Sequence, residues 1–120
     1  MTRLDATRLD AGSAVPVASL ALPSAPIDAD QVREGAPRAG HVVLDELGGR
    51  SIGVWEHTPG VSTDVEADEV FVVVAGAATL EFEHPPLPPV ELRPGMIVRL
   101  DAGMRTVWTI HETLRKVYVA

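Results

Sequence analysis

The chain has 120 residues and an apolar content of 46%, enough for one domain with a real hydrophobic core. A net charge of −7 repels phosphate backbones and anionic membrane surfaces, which argues against nucleic-acid and membrane partners. There is no cysteine, so disulfides, thiolate metal sites and a cysteine nucleophile are excluded, and the composition fits a reducing cytoplasm.

Residues 1–26 form an N-terminal arm rich in Ala, Ser, Pro and Asp, without a sustained period of 3.6 or 2. The repeat TRLD at 2–5 and 7–10 is too short for a solenoid, and residues 1–12 are expected to be loosely ordered. AVPVASLALPSAP at 14–26 has the apolarity of a signal-peptide core, but Pro16 and Pro23 interrupt it and Asp5 and Asp10 spoil a basic leader; the expected location is the cytoplasm. No apolar run approaches the roughly 20 residues needed to cross a bilayer. Residues 15–21 could add an edge strand to this barrel or to a partner's, and IDADQV at 27–32 predicts a helical turn capped by Asp28 and stopped by Gly35 and Pro37.

From residue 41 short β-prone runs alternate with Gly, Pro and Asp. The pattern predicts strands near 41–46, 51–58, 69–75, 77–83, 89–92, 96–100, 105–111 and 114–119. Gly48–Gly49 marks a tight hairpin, Gly76 a break, HPPLPP at 84–89 a surface loop and Pro94–Gly95 a turn. VFVVVA at 70–75 is apolar throughout and predicts a strand buried on both faces. RTVWTIH at 105–111 alternates, placing Thr106, Trp108 and Ile110 inward and His111 outward. GVSTDVEAD at 60–68 contains no predicted strand, and Ser62 within it has no recognisable base partner. Regularly spaced short strands of this kind make an all-β sandwich or barrel.

Taken together, GVWEHTPG (53–60), DEVFVVVAGAATL (68–80), RPGMIVRLDAGMRTVWTI (93–110) and LRKVYV (114–119) resemble the small single-domain cupins of the RmlC-like superfamily. More narrowly they resemble the group named for the cupin domain of ureidoglycine aminohydrolase, and IDADQVREGAPRAG (27–40) resembles that group's approach to the barrel. The resemblance implies a double-stranded β-helix, or jelly roll, over 27–120, with a pocket between two sheets in which many cupins hold a divalent metal with histidines and one glutamate. In the first cupin motif Glu69 and Gly76 have the expected spacing, but Asp64 and Glu66 stand where the histidines would be. In the second, Gly95 and Gly103 match while Asp101 replaces the proline and Thr106 the histidine.

The expected imidazoles are therefore missing, and the resemblance leaves an all-oxygen set of Asp64, Glu66, Glu69 and Thr106. Such a set suits only a hard divalent ion such as Mn²⁺. The competing readings are a solvated acidic loop, or a metal-free pocket with Glu69 as a buried catalytic acid or base. Thr106 would be a hydrogen-bonding wall. Trp55 and Trp108 are candidate stacking walls for a substrate, with core packing as the alternative. His57, two residues after Trp55, is either a proton carrier or a merely hydrogen-bonded side chain. Lys116 and Tyr118 share a face of the last strand; they either reach the pocket or guard an edge. The expected function is a small-molecule-binding cupin acting on a small polar nitrogen-containing metabolite. The alternatives are a non-catalytic binding module without metal and a dimerisation domain, and the expected assembly is a homodimer.

Overall fold

A computed structural model describes residues 8–120, so the expectation for residues 1–7 falls outside the described chain. Nine strands follow one another: β1 (Ala25–Pro26), β2 (Val32–Glu34), β3 (Arg38–Leu47), β4 (Arg50–His57), β5 (Gly60–Val65), β6 (Glu69–His84), β7 (Val90–Leu92), β8 (Ile97–Leu100) and β9 (Arg105–Val119). A 3₁₀ turn at Ala29–Gln31 lies inside the helical turn expected at 27–32, but Asp28 at its start makes no side-chain capping bond. No helix among the described residues is long and apolar enough to cross a membrane.

The architecture is built on β6 and β9, antiparallel neighbours from Val70↔Val119 to His84↔Arg105. Their register shifts repeatedly between Val73 and Ala78, and there both strands change sheet. Below this corner the start of β6 pairs with β8, and the end of β9 pairs with β4, which pairs with β3. Above it the rest of β6 pairs with β7, and the start of β9 pairs with β5, which pairs with β2. The result is a curled, nearly all-β jelly roll with two facing sheets. Gly76 makes the corner possible: its φ is +93°, and a Cβ there would lie 2.1 Å from the Thr113 carbonyl oxygen. The pairs of strands expected at 69–75 and 77–83, and at 105–111 and 114–119, are thus two long bent strands.

Alternation along these strands builds the core, in which Phe71, Leu80, Leu92, Leu100, Trp108 and Ile110 are buried. Thr106, Trp108 and Ile110 point inward as their spacing predicts, and His111 is exposed. The expectation that 70–75 is buried on both faces is corrected. Phe71 and Val73 are buried, whereas Val70, Val72 and Val74, on the opposite face by strand parity, are only half-covered. The Gly48–Gly49 hairpin forms with both residues at positive φ.

Two short segments depart further from expectation. GVSTDV forms β5 and pairs with β9 from Gly60↔Ile110 to Val65↔Arg105, although its composition is that of a loop. Residues 15–21 form no strand on this barrel; instead Arg115 Nη1 donates to the carbonyls of Val17 at 2.8 Å and Leu20 at 2.7 Å. With Pro16 present and two carbonyls turned to one guanidinium, that backbone does not run as a ladder strand.

Candidate functional site

A cavity of about 340 Å³ opens between the sheets. From one side β4 and the end of β9 present Trp55, His57, Lys116 and Tyr118, and Glu69 opens β6. From the other, β5 and the start of β9 present Ser62, Asp64 and Trp108, and Glu66 follows β5. Gly53 makes room for the Tyr118 ring, since a Cβ there would lie 2.6 Å from the phenol oxygen.

Lys116 is the organising charge. Its side chain is only 5% exposed, and Nζ donates to Glu69 Oε2 at 2.6 Å. The same nitrogen lies 4.2 Å from the Phe71 ring centre, 4.5 Å from that of Trp55 and 4.9 Å from that of Trp108. Aromatic faces attract an ammonium, and three of them with a carboxylate hold this one in place. The sequence alternatives for Lys116 resolve accordingly: it faces the interior and guards no edge. Trp108 belongs to the core, Trp55 packs half-buried against it, and both line the cavity with ring centres 5.6 Å apart.

The acidic run divides by position. Glu66 is buried, and its Oε2 accepts from the Thr106 hydroxyl at 2.6 Å and the Trp108 indole N–H at 3.1 Å. Burial pushes its carboxyl above the usual carboxylate range and Asp64 adds to the rise, while the Thr106 and Trp108 hydrogen bonds and Lys116 oppose it. Asp64 stands at the exposed rim, raised mainly by partial enclosure, and also accepts from the Val65 N–H. Asp68 is exposed and pairs with Arg99 across 3.8 Å. Thr106 stands behind Glu66, reaching the cavity through that carboxylate. Tyr118 is also raised, chiefly by burial and then by Glu69.

His57 and Ser62 lie at opposite ends of the corner Thr58–Pro59 that joins the two sheets. Both are buried, and Ser62 Oγ is 2.8 Å from His57 Nε2. His57 Nδ1 is 2.7 Å from the Thr58 carbonyl oxygen, which can only accept. Nδ1 therefore carries the proton, Nε2 is the acceptor and the Ser62 hydroxyl donates to it. Burial lowers the His57 pKa and nearby Lys116 lowers it further, against the Thr58 carbonyl. Sequence reasoning finds no partner for Ser62 because β5 is not among the predicted strands; HTPGVS, a polar residue on each side of a Pro-Gly corner, is the available signal. His41 also lines the cavity, from β3, whereas His84 and His111 do not.

A divalent ion on Asp64, Glu66 and Glu69 does not fit these donors. Glu69 is committed to an ammonium, Glu66 to a hydroxyl and an indole, and Asp64 lies at the rim. Among the described residues no three His, Asp or Glu side chains come close enough together to hold a metal ion.

Comparison with protein families matches residues 44–118 to the EutQ-like cupin domain. The chain belongs to that family. No curated protein matches this cupin. Among solved structures it is similar to a protein of unknown function from Pseudomonas syringae, at 23% identity and a TM-score of 0.70, over 84% of this chain and 44% of that one. The cupin thus spans less than half of that relative. It is similar also to a cupin-superfamily protein from Desulfitobacterium hafniense, at 15% identity and a TM-score of 0.63 over 94% of both chains. The EutQ protein of Clostridium difficile aligns at 15% identity and a TM-score of 0.61, over 78% of this chain and 73% of that one. These likenesses establish the jelly roll and carry no substrate.

Proposed function

We propose that this cupin binds a small polar molecule bearing amine, amide or ureido N–H groups, and does so without a divalent metal. The observation that carries the reading is the imbalance of charge around the cavity. Among the described residues three carboxylates, Asp64, Glu66 and Glu69, face a single cation, Lys116, which Glu69 already neutralises. The remaining acceptors, Asp64 and the second carboxylate oxygen of Glu66, favour a ligand that donates hydrogen bonds or carries positive charge over an anion. The two tryptophans supply the apolar flank that buries the rest of a small ligand. The nitrogen-bearing class agrees with the sequence resemblance to ureidoglycine aminohydrolase.

Thermal unfolding in the presence of methylurea, acetamide, ethanolamine and propionate tests this. Binding to the folded state raises stability by mass action. The N–H compounds are expected to raise the melting temperature and propionate is not, with the response lost in Asp64→Asn. A shift with propionate alone overturns the reading. So does a Mn²⁺ shift that depends on Glu69.

A further inference from the structure

The cavity contains one polar pair that ligand binding leaves unused. His57 and Ser62 come from different sheets: His57 pairs with Leu114 across β4 and β9, and Ser62 with Trp108 across β5 and β9. Each is therefore fixed by its own ladder, and their 2.8 Å separation is set by the barrel rather than by a loose loop. The Thr58 carbonyl holds the ring in the tautomer that leaves Nε2 free to take a proton, the task a carboxylate performs in a serine hydrolase triad. Both side chains border the cavity.

We propose that Ser62 is a nucleophile activated by His57, which makes the cavity an acyl-transfer centre for small acylated or carbamoylated amines. The substrate class rests on the amine-binding reading above. In the first step the Ser62 oxygen bonds to the carbonyl carbon as its proton moves to His57 Nε2, and the carbonyl π electrons move onto oxygen. Collapse of that adduct breaks the carbon–nitrogen bond, and the imidazolium returns the proton to the departing amine. Water then adds to the acyl-serine with His57 again taking a proton, releasing the acid and restoring Ser62. The net change is hydrolysis of one acyl–nitrogen bond. Asp64 and Glu66 line the same cavity and face the amine product. The lowered pKa of His57 agrees with a neutral ring ready to accept a proton.

The test uses the full chain with phenylmethanesulfonyl fluoride and an alkyl fluorophosphonate, read by intact mass and peptide mapping. The expected result is one adduct, on Ser62, absent in Ser62→Ala and absent when the wild-type chain is unfolded in urea. His57→Gln is expected to slow labelling by about 100-fold or more, the usual contribution of a general base. An unlabelled Ser62 in the folded wild type overturns the proposal, as does equal labelling of folded and unfolded chain. Labelling at wild-type rate in a folded His57→Gln also overturns it. A melting shift with N–H ligands alongside an inert Ser62 would keep the pocket and remove the nucleophile; a labelled Ser62 without any ligand shift would do the reverse.

Discussion

The two sheets face one interior but fill it differently. The sheet of β3, β4, β8 and the lower halves of β6 and β9 turns His57, Lys116 and Glu69 inward among its aromatics. The sheet of β2, β5, β7 and the upper halves turns in Leu80, Leu92 and Ile110, with Ser62 and Trp108 towards the cavity and Thr106 behind Glu66. The same two long strands supply both, so the contrast arises from side chains rather than from strand pairing. A buried ion pair contributes little net stability compared with apolar residues of the same volume. The dry half therefore rests on apolar burial at Leu80, Leu92 and Ile110, whereas the charged half adds to its own buried Phe71, Val73, Leu100 and Leu114 an ion pair that contributes little stability of its own.

The sharpest way to break this comparison is to remove one member of the charged pair. Lys116→Met leaves Glu69, whose side chain is 13% exposed, without its cation. Breaking such a pair costs roughly 3–5 kcal/mol. Urea denaturation is expected to show a loss of that size, most of it restored by adding Glu69→Leu, because the double variant leaves no buried charge. A single-variant loss below about 1 kcal/mol would mean that the amine and carboxylate are solvated and that the charged half is ordinary surface.

The matching experiment in the dry half is Leu80→Ala. Leu80 is fully buried, and truncation of such a leucine costs about 2–5 kcal/mol. The loss should equal or fall slightly below that of Lys116→Met. The difference lies in the second readout: Leu80→Ala should leave the melting shift with methylurea unchanged, whereas Lys116→Met frees Glu69 as a further acceptor in the cavity and should alter it. If both variants lose ligand response together, the halves are one cooperative unit and the division of labour fails.

How far this contrast could be read beforehand varies along the chain. Gly76, the Pro-rich loop, the Gly48–Gly49 hairpin and the inward alternation of Thr106, Trp108 and Ile110 are local signals, and they were legible because turn chemistry and side-chain parity act over a few residues. β5 was not legible, since Gly60, Ser62 and Asp64 break up the strand-favouring Val61, Thr63 and Val65, and the segment is held as a strand by pairing with β2 and β9. Losing β5 also hid the Ser62–His57 contact, which depends on how two sheets meet. Lys116 was readable as inward or outward, but not its cage, because Phe71, Trp55 and Trp108 come from three strands. Asp64, Glu66 and Glu69 could be read as one cluster; only packing reveals that each has a different partner.

The smallest expected effect concerns Glu66, where the two halves meet, and its sign can be derived. Burial raises the Glu66 pKa above its ordinary value of 4.5, so the folded chain holds that proton more tightly than the unfolded chain. The stability this adds is fully present below pH 4.5 and is lost as pH rises through the folded value, and raised Asp64 acts in the same direction. His57 acts oppositely. Its pKa is lowered from 6.5, so its contribution is present above pH 6.5 and is lost as pH falls through the folded value. Between these limits the slopes oppose, and the wild-type curve should be shallow. Glu66→Gln removes one falling contribution while the amide oxygen still accepts from Thr106 and Trp108. Its urea midpoint should therefore climb more steeply than wild type from pH 4.5 to 6.5 and end above it at neutral pH. Parallel curves for the two proteins would show that Glu66 is ionised at no cost, and that the junction between the sheets is wetter than its hydrogen bonds to Thr106 and Trp108 indicate.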